Sequence, residues 1–325
     1  MRSLRAILVR KVVNAFITIF IVLTLNFVLF RVMPGNPIKM LIPQVPGREE
    51  YVEAMIRRFG LDQPIHIQFF VYLKNVFSGE FGDSFRTGMP VINDVLNDLT
   101  WTLILVGTST LFMILIGMTI GIIAAWKRGS WFDTGSLGFS LFFYAMPTFW
   151  FSIILVLVFA IQLHWFPPSG QLPIGMTLTP FTLDTLWALL DHLFLPAVSL
   201  TVGSIAAFSV VMRSSLVDIM TEDYITTARA KGMSEFRMLR EHALPNAMLP
   251  MVTLIAMDIA FIVGGAFQTE YVFGYQGIGY ATVTATMQKN YPYLQAAFLI
   301  IAIVVIFANL VADITLAYLD PRVKV

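Results

Sequence analysis

Groups able to do covalent or metal chemistry are scarce in this chain. It has no cysteine, and its four histidines, His66, His164, His192 and His242, are scattered. Without a thiol there is no cysteine nucleophile and no thiolate metal site, and no histidine pair has the helical spacing that holds a metal. A GxxxxGK[ST] phosphate loop, an HExxH pair and a GxSxG elbow are all missing, so neither nucleotide binding in the usual manner nor hydrolysis is expected. Catalytic, cofactor-binding and metal-ligating residues are accordingly expected to be none. Two features remain: one carboxylate, Asp258, deep in an apolar run, and a charged segment at 222–250, EDYITTARAKGMSEFRMLREHALPNAMLP.

That segment reads as two short helices with a break between them. Asp223 is placed to cap the first, over 224–231, and Gly232 to stop it in a left-handed conformation. Ser234 is placed to cap the second, Glu235 stands where the helix dipole favours an anion, and Pro245 is expected to end it. Phe236, Leu239 and Ala243 then share one face while Arg237, Arg240 and Glu241 point elsewhere. Such a segment is amphipathic and must dock on something. A connector that only set topology would not require two capped helices.

The elements that position it are membrane helices. The chain is 57% hydrophobic and 13% charged, and it carries several apolar runs of spanning length, which excludes a water-soluble domain. Six spans are expected, at about 12–33, 99–125, 133–163, 192–212, 248–267 and 294–319. The first follows Arg2, Arg5, Arg10 and Lys11 and is too long for a cleaved leader, so it is read as retained, with a cytoplasmic N-terminus. Residues 34–98 are proline-punctuated and rich in acids, an extracytoplasmic insert with helices expected at 49–59 and 65–77. Residues 164–191 hold no lysine or arginine and read as external. Arg213, Arg229, Lys231, Arg237 and Arg240 put the charged segment in the cytoplasm, since each would cost roughly 2.5–3.5 kcal/mol at mid-bilayer. Both termini are then inside. The division is 1–33, the N-terminus and first span; 34–98, the insert; and 99–325, a five-helix core containing the loop 213–247.

Three details stay open at this level. Gly117 and Gly121 have the GxxxG spacing that permits close helix packing, a spacing that also arises by chance in glycine-bearing membrane helices. Pro147, flanked by Tyr144, Phe149 and Trp150, lines a cavity or merely kinks a packed helix. Asp258 faces a water-filled path or makes a structural hydrogen bond. Tyr144, Pro147 and Asp258 are the candidates for lining a path, from position alone.

Tyr224, Ala228, Arg229, Ala230, Lys231 and Gly232, followed by Leu244 and Pro245, resemble the EAA loop of permease subunits of ATP-binding-cassette importers. Further stretches are similar to the dipeptide, oligopeptide and nickel branch, with its DppB-like and OppB-like permeases: MPGNP at 33–37, FGLDQP at 59–64, GEFGDSF at 79–85, FPPSG at 166–170, Leu195 with Pro196, RSSL at 213–216 and LDPRV at 319–323. The set spans essentially the whole chain.

The resemblance implies an all-α integral membrane protein of the type I importer permease fold, multi-pass in the cell membrane. Implied partners are a homologous second permease, one or two cytoplasmic ATPase subunits holding ATP and Mg, an extracytoplasmic solute-binding protein and membrane lipid, with no nucleic acid. Tyr224, Thr227, Ala228, Arg229, Ala230, Lys231, Gly232, Leu244 and Pro245 are the implied ATPase-coupling residues. Glu270, Gly277 and Gly279 lie in the external segment where the binding protein would dock. Thr226 and Thr227 depart from the family's Glu and Ala, Gln276 from a usual proline, and Asn290 from a frequent aspartate; the last two bear on solute choice. Di- or oligopeptides are the first expected solute, oligosaccharides and nickel the alternatives. An ATP-independent secondary transporter or channel is the reading from another class, opposed by the lack of an internal repeat and by the single deep carboxylate.

Overall fold

A computed structural model describes residues 4–32, 49–84, 86–262 and 266–319. Regular structure in the described residues is helical, apart from one isolated antiparallel bridge between Asp83 and Pro90. In chain order the helices are α1 (Leu4–Val32), α2 (Glu49–Arg58), α3 (Ile65–Phe77), α4 (Val91–Trp126), α5 (Trp131–Tyr144), α6 (Thr148–Leu155), α7 (Leu183–Met220), α8 (Asp223–Ala230), α9 (Glu235–Met238), α10 (Leu244–Ile262), α11 (Phe267–Val272), α12 (Ile278–Met287) and α13 (Tyr291–Leu319). Four helical stretches are long and apolar enough to cross a membrane: Val9–Arg31, Val91–Trp126, Leu183–Met220 and Tyr291–Val311; a fifth arises if α5 and α6, the latter continued by a π-helical stretch to Gln162, form one broken span. The run expected at 248–267 is helical through Ile262, and 263–265 lie outside the described residues. So do MPGNP and most of LDPRV.

α4 and α7 form the spine. At 36 and 38 residues they are about 54 and 57 Å long at 1.5 Å per residue, well beyond a hydrocarbon core of about 30 Å. α7 starts earlier than the expected 192 because Thr182 caps it, its hydroxyl accepting from Thr185 N at 3.2 Å with Asp184 in the first turn. It also runs on to Met220, through the RSSL stretch, and tolerates Pro196 in its interior.

The two helices approach closely at the paired glycines. A Cβ on Gly117 would stand 2.7 Å from Phe208 Cβ, and one on Gly121 would stand 2.6 Å from the Ser209 carbonyl oxygen. The GxxxG spacing is therefore a packing device here, letting the α7 backbone lie against α4. Phe208, Met212 and Leu216 on α7 are fully buried beside it.

The expected single span 133–163 is not one helix. α5 stops at Tyr144 and α6 starts after Pro147, with the axes bent by 97°. Pro147 has no N–H to donate and disfavours helical backbone at Met146, so the chain breaks rather than bends.

α1 and α13 lie side by side, joined by Asn26 Nδ2 donating to the Gln295 carbonyl at 3.2 Å and by Lys11 and Asp313 at 2.7 Å. The insert folds onto them through α3, whose Tyr72 packs on Phe27 and Leu23. One end of the bundle thus carries the insert and the other carries 221–243.

Candidate functional site

α8 is held by one apolar anchor. Ile225 is fully buried among Met212, Leu216, Met238 and Ala243, worth roughly 1.5–3 kcal/mol. Tyr224, Thr227, Arg229, Ala230, Lys231 and Gly232 are exposed around it, while Ala228 is half-buried against the same cluster. The helix begins with Glu222 at the cap position, making Asp223 its first residue rather than its cap. Gly232 has φ +80°, the left-handed stop expected of it, and Arg229 reaches back over the turn to Glu235 at 3.0 Å.

The second helix does not end at Pro245. α9 passes through a wider π-helical turn at Leu239–Ala243 into α10, and Pro245 occupies the first turn of α10, exposed. The wide turn just upstream alters the backbone hydrogen-bond register, with Leu244 N bonded back to the Leu239 carbonyl, so the ring and missing N–H of Pro245 are accommodated without a break. Ser234 stands at the cap position without a side-chain bond. Of the face expected to dock, Leu239 and Ala243 are buried, but Phe236 is exposed and lies against Trp126, the ring centroids 6.4 Å apart. Ser215 Oγ on α7 donates to the Ala247 carbonyl at 3.0 Å, and Leu244 packs into the cluster. The segment is fastened to the ends of α4, α7 and α10 and turns its polar side outward. A cavity of about 470 Å³ borders Tyr224, lined also by Ser214, Asp218, Glu222 and Asn246.

At the insert end, Glu270 is fully buried on α11. Thr102 Oγ1 on α4 donates to its Oε1 at 2.7 Å and Tyr280 N donates to its Oε2 at 3.0 Å, while Thr102 accepts from Ile278 N at 2.8 Å. No cation stands among these partners, and burial raises the Glu270 pKa despite the donors from Thr102, Tyr280 and Gly279. The glycines expected nearby are required by that carboxylate. A Cβ at Gly277 would lie 2.6 Å from Oε2, and one at Gly279 would lie 2.8 Å away. The Glu270 side chain is thus spent inside the chain, where it holds the loop 273–277 and the first turn of α12. That loop pairs with 164–182 through Gly170 N donating to the Phe273 carbonyl at 2.9 Å and Gln276 N to Gln171 Oε1 at 3.3 Å.

Asn290 is likewise internal. It is buried, donates to Ser84 Oγ at 3.2 Å and accepts from Tyr293 N at 3.4 Å, capping α13 and tying it to the GEFGDSF stretch. Its departure from aspartate thus has a structural setting. Of the three path candidates, Tyr144 and Pro147 are exposed at the α5–α6 break. Asp258 lies on α10, but its side chain falls outside the described residues.

Sequence reasoning missed the buried polar pairs. Arg213 of RSSL binds Asp133 at the start of α5 with two hydrogen bonds. Tyr293 OH donates to Asp98 Oδ2 at 2.8 Å, with Arg86 3.6 Å away. An acid at the head of an apolar run was a usable signal for both, but its partner lies 80 or 195 residues on.

Residues 117–325 match the family described as binding-protein-dependent transport system inner membrane component, and residues 4–106 match the N-terminal part of such membrane components. The di/tripeptide transport system permease protein DppB of Pseudomonas aeruginosa is 35% identical over 94% of this chain and 95% of its own length. The oligopeptide transport system permease protein AppB of Bacillus subtilis is 33% identical over 98% and 99%. Among solved structures, a chain of the MetNI methionine ABC transporter in an inward-facing form has the same fold, with a TM-score of 0.54, 17% identity, and coverage of 70% of this chain and 96% of that one.

Proposed function

This chain belongs to the family of binding-protein-dependent transport system inner membrane components, and we infer that it is a permease subunit of an ATP-driven importer of di- or oligopeptides. The relatives' names support the solute class. The observation that carries the coupling role is α8, a short helix pinned by Ile225 with its polar side exposed and its base fastened to three long helices.

The working arrangement is as follows. Six spans place both termini and 213–247 in the cytoplasm, with 34–98 outside. ATP and Mg are held by separate ATPase subunits, and this chain takes no covalent part. α8 sits in a groove of one ATPase, met by Tyr224, Thr227, Ala230 and Lys231 with Arg229 at the edge. Because α8 is joined to α7 and α10 through Met212, Leu216, Ala243 and the Ser215–Ala247 bond, displacing α8 moves those helices as a body. A homologous second permease completes the path, which opens alternately to either side, with the α5–α6 break at Tyr144 and Pro147 facing it and Asp258 a further candidate from its place in the sequence. The binding protein docks on the exposed parts of 164–182 and on the neighbouring Gln276, a surface whose shape Glu270, Gly277 and Gly279 maintain from beneath.

Uptake of labelled di- and tripeptides into vesicles holding the complete complex tests the solute class. ATP-dependent accumulation that requires this chain is expected. Accumulation of an oligosaccharide or nickel in place of peptides would reassign the solute and leave the importer mechanism standing.

A further inference from the structure

At the insert end, α1, α3 and α13 surround a small cavity of about 30 Å³ lined by Arg31, Phe59, Tyr72, Asn75, Glu80 and Gln295. Nε and Nη1 of Arg31 and Nδ2 of Asn75 are closed off from solvent and have no acceptor among the described residues. Several neighbouring acceptors already hold other donors. Asn26 Oδ1 takes the Tyr72 hydroxyl at 3.3 Å, the Gln295 carbonyl takes Asn26 Nδ2, and the Asn75 carbonyl takes Glu80 N at 2.8 Å. The Glu80 carboxylate is held by Arg58, Nη2 to Oε1 at 2.9 Å and Nε to Oε2 at 3.3 Å.

The guanidinium of Arg31 lies over the Phe27 ring, its carbon 5.5 Å from the centroid. The ring eases the charge on one face but offers nothing to the N–H groups in the guanidinium plane. Arg31, Arg58 and Glu80 together leave one positive charge, and the inward groups without partners are all donors. Shielded donors on a cation are costly unless an acceptor meets them.

The missing group must accept from several directions and carry negative charge. It must also be small, since a first water-sized particle needs roughly 10–15 Å³ of such space and the cavity has room for one or two. A carboxylate or phosphate exceeds this space, and a water would leave the guanidinium charge uncompensated. We propose that this cavity binds a small monovalent anion of the halide class, held by Arg31 and Asn75 between the first helix and the insert.

The test uses the complete transporter in gluconate, with bromide replacing gluconate at constant ionic strength. Thermal unfolding is expected to shift upward saturably. Arg31→Met and Asn75→Leu are expected to raise the half-saturating bromide concentration about tenfold or more, as loss of a charge-assisted hydrogen bond implies. Crystals of the unmutated transporter grown in bromide are expected to show an anomalous peak within hydrogen-bond reach of Arg31. An unsaturable shift, a saturable shift indifferent to both substitutions, or a site filled by water or a lipid phosphate with no anomalous peak overturns the proposal. If either variant fails to fold, the anomalous map of the unmutated protein decides.

Discussion

Arg213 reaches from α7 to Asp133 at the start of α5 and grips both carboxylate oxygens, Nε to Oδ1 at 2.6 Å and Nη2 to Oδ2 at 2.8 Å. Gly129 N adds a third donor to Oδ2 at 2.9 Å, and the Asp133 side chain is only 5% exposed. This clasp sets where α5 begins against the spine, about two turns of helix before the segment that carries α8.

Arg213→Met therefore leaves a buried carboxylate unpaired and is expected to cost about 3–5 kcal/mol. Arg213→Lys should lose less, because a point charge keeps the attraction but not the two-pronged geometry. Thermal unfolding in detergent reads both. Adding Asp133→Leu to Arg213→Met should restore part of the loss, and strictly additive losses would show that the pair is not coupled.

Gly121→Ala should be damaging for its size. Its new methyl meets the Ser209 carbonyl oxygen at 2.6 Å and Met212 Cβ at 2.7 Å, so α4 and α7 must part, at about 1–3 kcal/mol. Gly107→Ala on the same helix meets nothing within 4 Å and should be neutral or slightly stabilising, since alanine is the better helix former. Equal midpoints for the two variants would remove the close-packing account of the glycine pair.

The buried Glu270 gives stability a pH dependence of definite sign. Its folded pKa lies above the ordinary 4.5, so between those two values the folded state holds more protons than the unfolded one. Stability is then greatest at the acidic side and declines as pH rises through that window, levelling off above the folded pKa. Glu270→Gln should flatten this decline in unfolding midpoints measured across mildly acidic to neutral pH. An unchanged slope in the variant would place the titration elsewhere.

Much of this was readable in the residues, and the failures have physical causes. Apolar runs and basic flanks locate the long helices because each helix satisfies its own backbone locally. Gly232 was readable because a left-handed stop is a local demand. Pro245 was misjudged because a proline ends a helix only where its N–H and ring matter, and a π-helical turn just upstream removes the conflict. Pro147 was misjudged in the other direction, with a break of 97° where a kink was expected. The roles of Glu270 and Asn290 could not be read locally: both look like polar loop residues, and only Thr102 and Ser84, far away in sequence, draw them inside. Ala228 matched the loop motif, yet it faces the chain's own core, so the motif mixes residues that hold α8 with residues that α8 presents.

That division makes the coupling role testable by stimulated ATP hydrolysis in the reconstituted transporter. Thr227→Glu and Ala230→Glu place a carboxylate on the exposed side of α8, whereas Ala228→Glu forces one against Ile225 and its neighbours and should lower stability instead. With the exposed-side variants, hydrolysis and solute uptake are expected to fall about tenfold or more while the chain's own unfolding midpoint stays put, because an unpaired charge in an interface is costly. Unchanged hydrolysis and uptake in both exposed-side variants would mean that α8 meets no ATPase, contradicting the assignment of this chain as the membrane half of an ATP-driven importer.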